Sequence, residues 1–261
     1  MTAICGTTAC WPGSRYRDAV AAVVRGTYEP YWGRISHSQV QLCPQNSGIL
    51  DDVEIDCLRS QYPAVAFRLH ANARVSRQSR PGAGDAIDFS TSDPHFLAII
   101  RASQQLKANG YTLHSGKRTS GTHALLRSRV LALQETMQMP VGVEGMYPDG
   151  KGTWLLSTWA DYAWLLTSGL NYAIDLSHLN IVSRRSRHTE ERLVNELLAS
   201  ERCIEIHVSG NDGLADRHQI LERAPRWVTM MASSNPNAIV FTEGNQLGQR
   251  TKKGNYDASN N

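Results

Sequence analysis

The stretch Tyr172-Ala-Ile-Asp175-Leu-Ser-His178 shows the pattern that decides the fold: a short apolar run that ends in a side chain able to bind metal. Other apolar runs end in the same way, at or just before these residues: His70, His114, Glu144, His207 and Glu243. From His70 onward, the successive strand-end positions are 44, 30, 31, 32 and 36 residues apart. Each interval is about the length of one strand–helix unit, which predicts a parallel sheet built from consecutive units.

Short apolar runs alternate with helical patterns along the chain. The predicted strands cover residues 3–5 (the weakest), 35–42, 64–69, 111–113, 141–143, 172–174, 203–206 and 238–241. The predicted helices cover residues 15–25, 94–109, 122–137, 157–167, 190–200 and 218–231. Eight strands alternating with helices predict an α/β fold with a parallel sheet, closed or open. The length of 261 residues suits one barrel, which we assign to residues 1–245, followed by a polar, disordered tail over residues 246–261.

The composition excludes several classes of protein. With 41% hydrophobic and 20% charged residues the chain can bury a core, which excludes global disorder. No run of 18 apolar residues is present, so we expect no membrane span. A net charge of +3 is too small to indicate nucleic-acid binding. Five cysteines without a Cys-x-x-Cys pair, and a start that lacks the features of a signal peptide, predict reduced thiols and a cytoplasmic location.

Metal-type side chains gather at the predicted C-terminal ends of the strands, which in a βα barrel meet at the face where active sites are built. The sequence adds three more candidates to the six strand-end residues: His178, Asp216 and His218. Nine nitrogen and oxygen donors exceed what one ion needs, so they predict two or three divalent ions bridged by carboxylates. The absence of cysteine from the set favours zinc, manganese or iron. The remaining histidines are expected to cap helices or face solvent: His37, His95, His123 and His188.

Together these segments resemble the xylose-isomerase-like TIM barrels, in particular the endonuclease-IV-type subgroup with a three-metal site. The matching segments lie between residues 64 and 245: Leu69-His70, Leu113-His114-Ser115-Gly116, Val143-Glu144, Asp175-Leu176-Ser177-His178, Ile206-His207, Asp216-Arg217-His218 and Thr242-Glu243. The resemblance implies a single (β/α)8 barrel. It also implies an outer ion bound by His70 and His114. Four residues would bridge or complete an inner pair of ions: Glu144, Asp175, His207 and Glu243. The remaining ion would be held by His178, Asp216 and His218.

Other local features point to a second subgroup. The segments Asp175-Leu-Ser-His-Leu-Asn-Ile-Val-Ser183 and His207-Val-Ser-Gly-Asn211 resemble the multinuclear iron enzymes of peptide tailoring, a family similar to that of methanobactin biosynthesis. Those enzymes carry Asn where this chain has His178, which is the endonuclease-like residue. The Gly-Ala-His opening of the repair endonucleases is replaced here by Ala3-Ile-Cys-Gly-Thr-Thr-Ala-Cys10.

Three chemistries therefore stay open. The favoured one is oxidative tailoring of a peptide or small molecule by iron, with a partner protein that delivers the substrate; nucleic acid is less favoured. The alternative is zinc- or manganese-dependent phosphodiester hydrolysis, in which Glu144 orients the nucleophile. The third is a sugar isomerase or epimerase, in which Glu144 and Glu243 transfer protons beside one ion. In the favoured chemistry, Lys117 and Arg118 are suited to hold an anionic substrate, and the loop 76–91 is expected to gate the site.

Overall fold

A computed structural model describes residues 3–76 and 84–247 of the chain. Eight parallel strands form a closed barrel in this described part: β1 (Ile4–Thr7), β4 (Ser36–Leu42), β5 (Ala66–His70), β6 (Tyr111–His114), β7 (Val141–Glu144), β8 (Asn171–Asp175), β9 (Cys203–Val208) and β10 (Ile239–Thr242). Each barrel strand pairs with the next barrel strand along the chain, so that β1 pairs with β4. The barrel closes where β1 pairs with β10, with Ile4 opposite Val240. A two-stranded hairpin, β2 (Tyr28–Glu29) and β3 (Gly33–Arg34), lies outside it. The expected parallel sheet is thus confirmed in its closed form.

Seven α-helices lie between the strands in the described residues: α1 (Tyr16–Gly26), α2 (Asp52–Gln61), α3 (Pro94–Leu106), α4 (His123–Met137), α5 (Trp159–Thr167), α6 (Leu176–Ser186) and α7 (Glu191–Ala199). Five of these helices, α2 to α6, start with ordinary capping chemistry, since a side-chain oxygen satisfies a first-turn N–H group. Asp93 accepts from the His95 N–H at α3, and Thr158 forms a capping box with Asp161 at α5. α2 and α6 were not among the predicted helices.

The predicted helix over residues 218–231 is wrong. Residues 218 and 219 belong instead to the loop after β9: His218 has a left-handed backbone, with φ +45°, and Gly210 and Gln219 exchange backbone hydrogen bonds of 2.6 and 2.9 Å. Pro225 then precedes a 3-10 segment, Arg226–Ser233. Proline cannot donate the backbone hydrogen bond that a continuous helix needs, and the fixed positions of the loop exclude helical dihedrals before it.

Two predictions fall partly outside the described residues. Residues 77–83 of the predicted loop 76–91 lie outside the described residues. Residues 248–261 of the predicted tail lie outside them too. Gln246, at the start of that tail, is buried, and its N–H donates to the Cys10 carbonyl at 2.8 Å. All five cysteines are free thiols and only Cys57 is not buried. Within the described ranges, none of the helices combines the length and the apolar character needed to cross a bilayer.

Candidate metal centre

The strand ends bring the six predicted donors to one rim of the barrel. His70, His114, Glu144 and Asp175 are the last residues of β5, β6, β7 and β8. His207 lies one residue before the end of β9, and Glu243 follows β10 directly; these two are completely or almost completely buried. The register places His114 beside Glu144, and Asp175 beside His207. Because parallel strands start their loops at the same edge, consecutive units deliver these side chains to one place.

Glu144 is the centre of the cluster. Its Oε2 lies 3.4 Å from His70 Nε2 and 3.6 Å from His114 Nε2. Its Oε1 lies 3.5 Å from His178 Nδ1 and 3.4 Å from His207 Nδ1. Four imidazoles from four different elements thus surround one buried carboxylate. A carboxylate with both oxygens faced by nitrogen donors has the arrangement of a bridging metal ligand.

The loop after β9 carries two more donors, Asp216 and His218, which close a ring formed by the nine donor residues. Asp216 Oδ2 lies 3.4 Å from His178 Nε2 and 2.8 Å from His218 Nε2. His218 Nδ1 in turn lies 3.5 Å from Glu243 Oε2. The backbone of His218 is left-handed, with φ +45°, and its carbonyl accepts from Asn245 N–H at 2.7 Å. The loop therefore fixes this imidazole, and all nine predicted donors lie together.

Three groups of three residues within this ring have donor atoms within 4.8 Å of one another: His70, His114 and Glu144; Glu144, Asp175 and His178; Asp175, His207 and Glu243. The groups share Glu144 and Asp175, so neighbouring ions would be bridged by carboxylates. Nine donors are more than one ion needs, and carboxylates shared between ions are the arrangement that this surplus predicts.

Proton equilibria show how strongly these groups interact. Burial lowers the pKa of His70 to about 3 and raises that of Glu243 to about 7. Burial lowers the His178 and His207 pKa values as well, but neighbouring carboxylates, chiefly Asp175 and Glu243 respectively, outweigh it and raise both. Without another cation, protons on these imidazoles balance the carboxylates. Divalent ions would replace those protons.

The residues fit divalent metal ions. Glu144 Oε2 and Asp175 Oδ2 are buried and accept no hydrogen bond from the described residues. Asp175 Oδ1 caps α6 by accepting from the N–H groups of Ser177 and His178, at 2.6 and 3.2 Å. His178 Nδ1 lies 2.9 Å from the Gly145 carbonyl, which can only accept, so Nδ1 carries a proton. Nε2 of the neutral ring then points its lone pair at two carboxylates, an arrangement that a metal cation between them stabilises.

Comparisons with solved structures identify the barrel type. The chain matches a D-tagatose 3-epimerase-like protein with TM-score 0.65 and 11% identity, over 98% of this chain and 96% of that one. It matches a xylose isomerase domain protein from Salmonella typhimurium with TM-score 0.60 and 12% identity, over 95% and 91%. An AP endonuclease of family 2 from Brucella melitensis gives TM-score 0.57 and 11% identity, over 100% and 99%. The chain has the xylose isomerase-like TIM-barrel fold. No protein-family profile and no curated protein matches the sequence.

A layer of polar side chains just below the rim of this xylose isomerase-like barrel was not predicted. Glu205 and Arg68 are buried and form an ion pair of 2.8 Å between Oε2 and Nε. Thr112 donates to Glu205 Oε1 at 2.6 Å, and Gln41 Nε2 donates to the same oxygen. A signal was present in the sequence, because Arg68 and Glu205 each precede a predicted ligand by two residues. In a strand, such positions share one side, here the barrel interior.

Lys117 and Arg118, the two proposed substrate-binding residues, differ in their surroundings. Lys117 is exposed, and its charge acts against the rise that burial causes in the pKa of the neighbouring Asp85, which lies at about 7. The Arg118 guanidinium donates to Asp161 Oδ2 at 2.7 Å and to the Leu155 carbonyl at 3.0 Å. Arg118 therefore ties the loop after β6 to the start of α5. Its role in substrate binding stays a prediction, as does that of Lys117.

Two of the four histidines outside the predicted site, His37 and His188, face solvent as expected. His37 and His188 are exposed, and His188 pairs with Glu190 at 2.9 Å. His123 is the first residue of α4 but does not cap it, because Thr122 does; its half-buried ring stacks on Trp164. His95 differs, because it is buried, with only 7% of its surface exposed, and the cap of α3 is Asp93 instead.

Proposed function

We propose that the protein is a metal-dependent enzyme whose multinuclear centre hydrolyses phosphoesters. One observation carries this proposal: Asp216 joins His178 to His218 and so adds donors to the inner group around Asp175. An isomerase or epimerase with one ion needs only that inner group and Glu144. The extra donors are what a second and a third ion require.

The charge of the centre favours an anionic substrate. Four carboxylates contribute four negative charges to the ring: Glu144, Asp175, Asp216 and Glu243. Two divalent ions would balance them, and three would leave the centre positive. Bound ions of this kind activate water for attack and offset the charge that develops on a phosphoryl group. The chain's small net charge of +3 favours a small phosphodiester over DNA.

Each protein group has a distinct part in this proposal. The histidines at the ends of β5 and β6, His70 and His114, would hold an outer ion together with Glu144, which would also serve the inner site. Glu144 would also orient the attacking water. Lys117, exposed just after His114, holds a substrate oxygen.

Oxidative tailoring by iron, which the sequence favours, is the second candidate. Asn211 Oδ1 accepts from Asn180 at 2.7 Å, while its amide donates to the Ser177 carbonyl at 2.8 Å. These bonds join the two segments that resemble the iron enzymes, beside the centre. Under this candidate the substrate is a peptide or small molecule, delivered by a partner protein.

Metal analysis separates the candidates. Protein purified without oxygen is analysed for metals, then reloaded separately with zinc, manganese or ferrous iron. Each form is assayed with bis-(p-nitrophenyl) phosphate, with DNA that contains an abasic site, and with a panel of ketoses. The proposal expects zinc or manganese and hydrolysis of the small diester. Native iron with a charge-transfer band, and no hydrolysis by any form, would refute it in favour of oxidation.

Two variants on one loop provide a matched control. Asp216→Asn removes one carboxylate from the ring of nine donor residues, whereas Asp212→Asn changes an exposed residue paired with Arg217 at 3.4 Å. We expect the first to lower hydrolysis by at least about 10-fold at limiting metal, and the second to leave it unchanged. Equal activities would show that the Asp216 carboxylate has no part in the reaction. Ketose conversion that survives Asp216→Asn would support the isomerase.

A further inference from the structure

Glu205 is a buried carboxylate directly below the rim, outside the nine donors. It lies on β9 two residues before His207 and has no solvent exposure. Its Oε1 lies 2.6 Å from His207 Nε2 and accepts the Thr112 hydroxyl at 2.6 Å. Its Oε2 faces Arg68 Nε at 2.8 Å. Both oxygens are therefore engaged by groups of the protein itself.

These contacts argue against a metal ion on Glu205. Glu205, His70 and His207 have donor atoms close enough to hold an ion. The guanidinium of Arg68 already balances the carboxylate, however, and a second cation beside it would be repelled. Arg68 is packed into the barrel: a Cβ at residue 110 would lie 2.3 Å from its Nη2, so Gly110 leaves the guanidinium the room it occupies.

We infer that Glu205 is a positioning residue, which sets the imidazole nitrogens that His207 and His70 present to the metal centre. A carboxylate can only accept, so His207 Nε2 carries the proton and Nδ1 keeps its lone pair. That Nδ1 lies 3.4 Å from Glu144 Oε1 and 3.9 Å from Glu243 Oε1, on the side of the centre. A carboxylate behind a metal-binding histidine fixes its tautomer and its orientation.

Thr112 extends the same control to His70. Its hydroxyl proton is committed to Glu205, so its oxygen is left to accept from His70 Nδ1 at 3.3 Å. Nε2 of His70 then keeps its lone pair and faces Glu144 Oε2 at 3.4 Å. One buried carboxylate thus orders two ligands that come from β5 and β9, which are not neighbours in the barrel.

Variants of Thr112 test the inference without removing a buried charge. Thr112→Val keeps the shape but loses the hydroxyl, whereas Thr112→Ser keeps the hydroxyl. Cobalt(II) is titrated into the metal-free proteins, and its visible absorption and its competition with a chelator are measured. We expect Thr112→Val to weaken one cobalt site by about 10- to 100-fold and to alter its spectrum, with Thr112→Ser close to the native protein. Equal affinities and spectra of the two variants would refute the link to His70.

Glu205 itself is tested in a background without Arg68, because removal of only one of the two residues would leave the buried charge of the other unpaired. Arg68→Met/Glu205→Gln keeps a neutral acceptor for His207, whereas Arg68→Met/Glu205→Met removes it at similar volume. We expect the first double variant to bind cobalt about 10- to 100-fold more tightly than the second. Circular dichroism confirms that both fold, and equal cobalt binding by two folded variants would contradict the inference.

A measurement on the unmodified chain decides the matter even if a double variant does not fold. In zinc-loaded protein with 15N-labelled histidine, we expect the His207 resonances to show a proton on Nε2 and metal on Nδ1. Metal on Nε2 would overturn the inference. The inference rests on the metal centre but not on hydrolysis, so inactivity towards phosphodiesters with the expected tautomer would contradict only the proposed function.

Discussion

Removal of the His178 imidazole is the sharpest test of the centre. The ring is held by the Gly145 carbonyl on one side and faces two carboxylates on the other, with Nε2 3.4 Å from Asp175 Oδ2 and from Asp216 Oδ2. His178→Ala leaves those carboxylates in place without their shared nitrogen. The group formed with Glu144 and Asp175 then keeps two of its three donors.

The expected loss follows from this geometry. Changes behind a metal ligand cost about 10- to 100-fold in affinity, and loss of the ligand itself should cost at least as much, so we take about 100-fold, or about 2.8 kcal/mol. At a free zinc concentration about ten times the native dissociation constant, occupancy of this site would fall from about 90% to about 10%. The other sites keep their donors. The metal content should therefore fall by about one ion per chain.

The assay is metal analysis after equilibration with a buffered free zinc concentration, supported by chelator competition. His188→Ala is the matched control, because it removes an exposed imidazole that pairs only with Glu190 among the described residues. Circular dichroism confirms that both variants fold. If His178→Ala keeps the full native metal content and affinity, then His178 is not a ligand and the argument from its tautomer is wrong.

Two further predictions concern stability. Burial raises the pKa of Glu29 from 4.5 to about 7, so the native state binds this proton more tightly and loses stability as pH rises from about 4.5 to 7, by about 3 kcal/mol. Glu29→Gln should abolish that loss in urea unfolding at pH 5 and pH 8, and an unchanged pH dependence would contradict it. Arg118→Ala should destabilise the protein by about 1–3 kcal/mol because it removes the donor to the buried Leu155 carbonyl and the ion pair with Asp161, whereas Lys117→Ala should be nearly neutral. Equal midpoints of thermal unfolding would refute this difference.

The positions of the donors could be predicted because they depend on the topology. A parallel barrel aligns the ends of its strands, so a histidine or acid that closes an apolar run must lie at the rim. The loop donors Asp216 and His218 could be predicted as an Asp-x-His pair in the loop after His207, but nothing in their spacing states that this loop folds back over Glu243. The helical pattern in residues 218–231 was misleading for the same reason: the backbone there is set by contacts with Gly210 and Asn245, not by its own periodicity.

Helix α6 was missed because strand and helix share one residue. Asp175 ends β8 and caps α6 through Oδ1, so no loop separates the two elements. Its other oxygen, Oδ2, faces His178 one helical turn later. The pattern Asp175-x-x-His178 therefore both starts a helix and supplies two of the three donors in one of the groups.

The partners of Glu205 could not be predicted from the sequence, although its direction could. Alternation along a strand places Glu205 with His207, and Arg68 with His70, on the barrel interior. Which interior charge meets which depends on how the closed barrel brings β5 and β9 across from each other. A buried ion pair is seldom more stabilising than apolar side chains of similar volume, so stability alone does not explain this one in the core. Its position immediately behind His207 and His70 fits the inference drawn above: the pair would hold charge and hydrogen bonds where they fix the two imidazoles, so that the rim above could bind metal in one defined geometry.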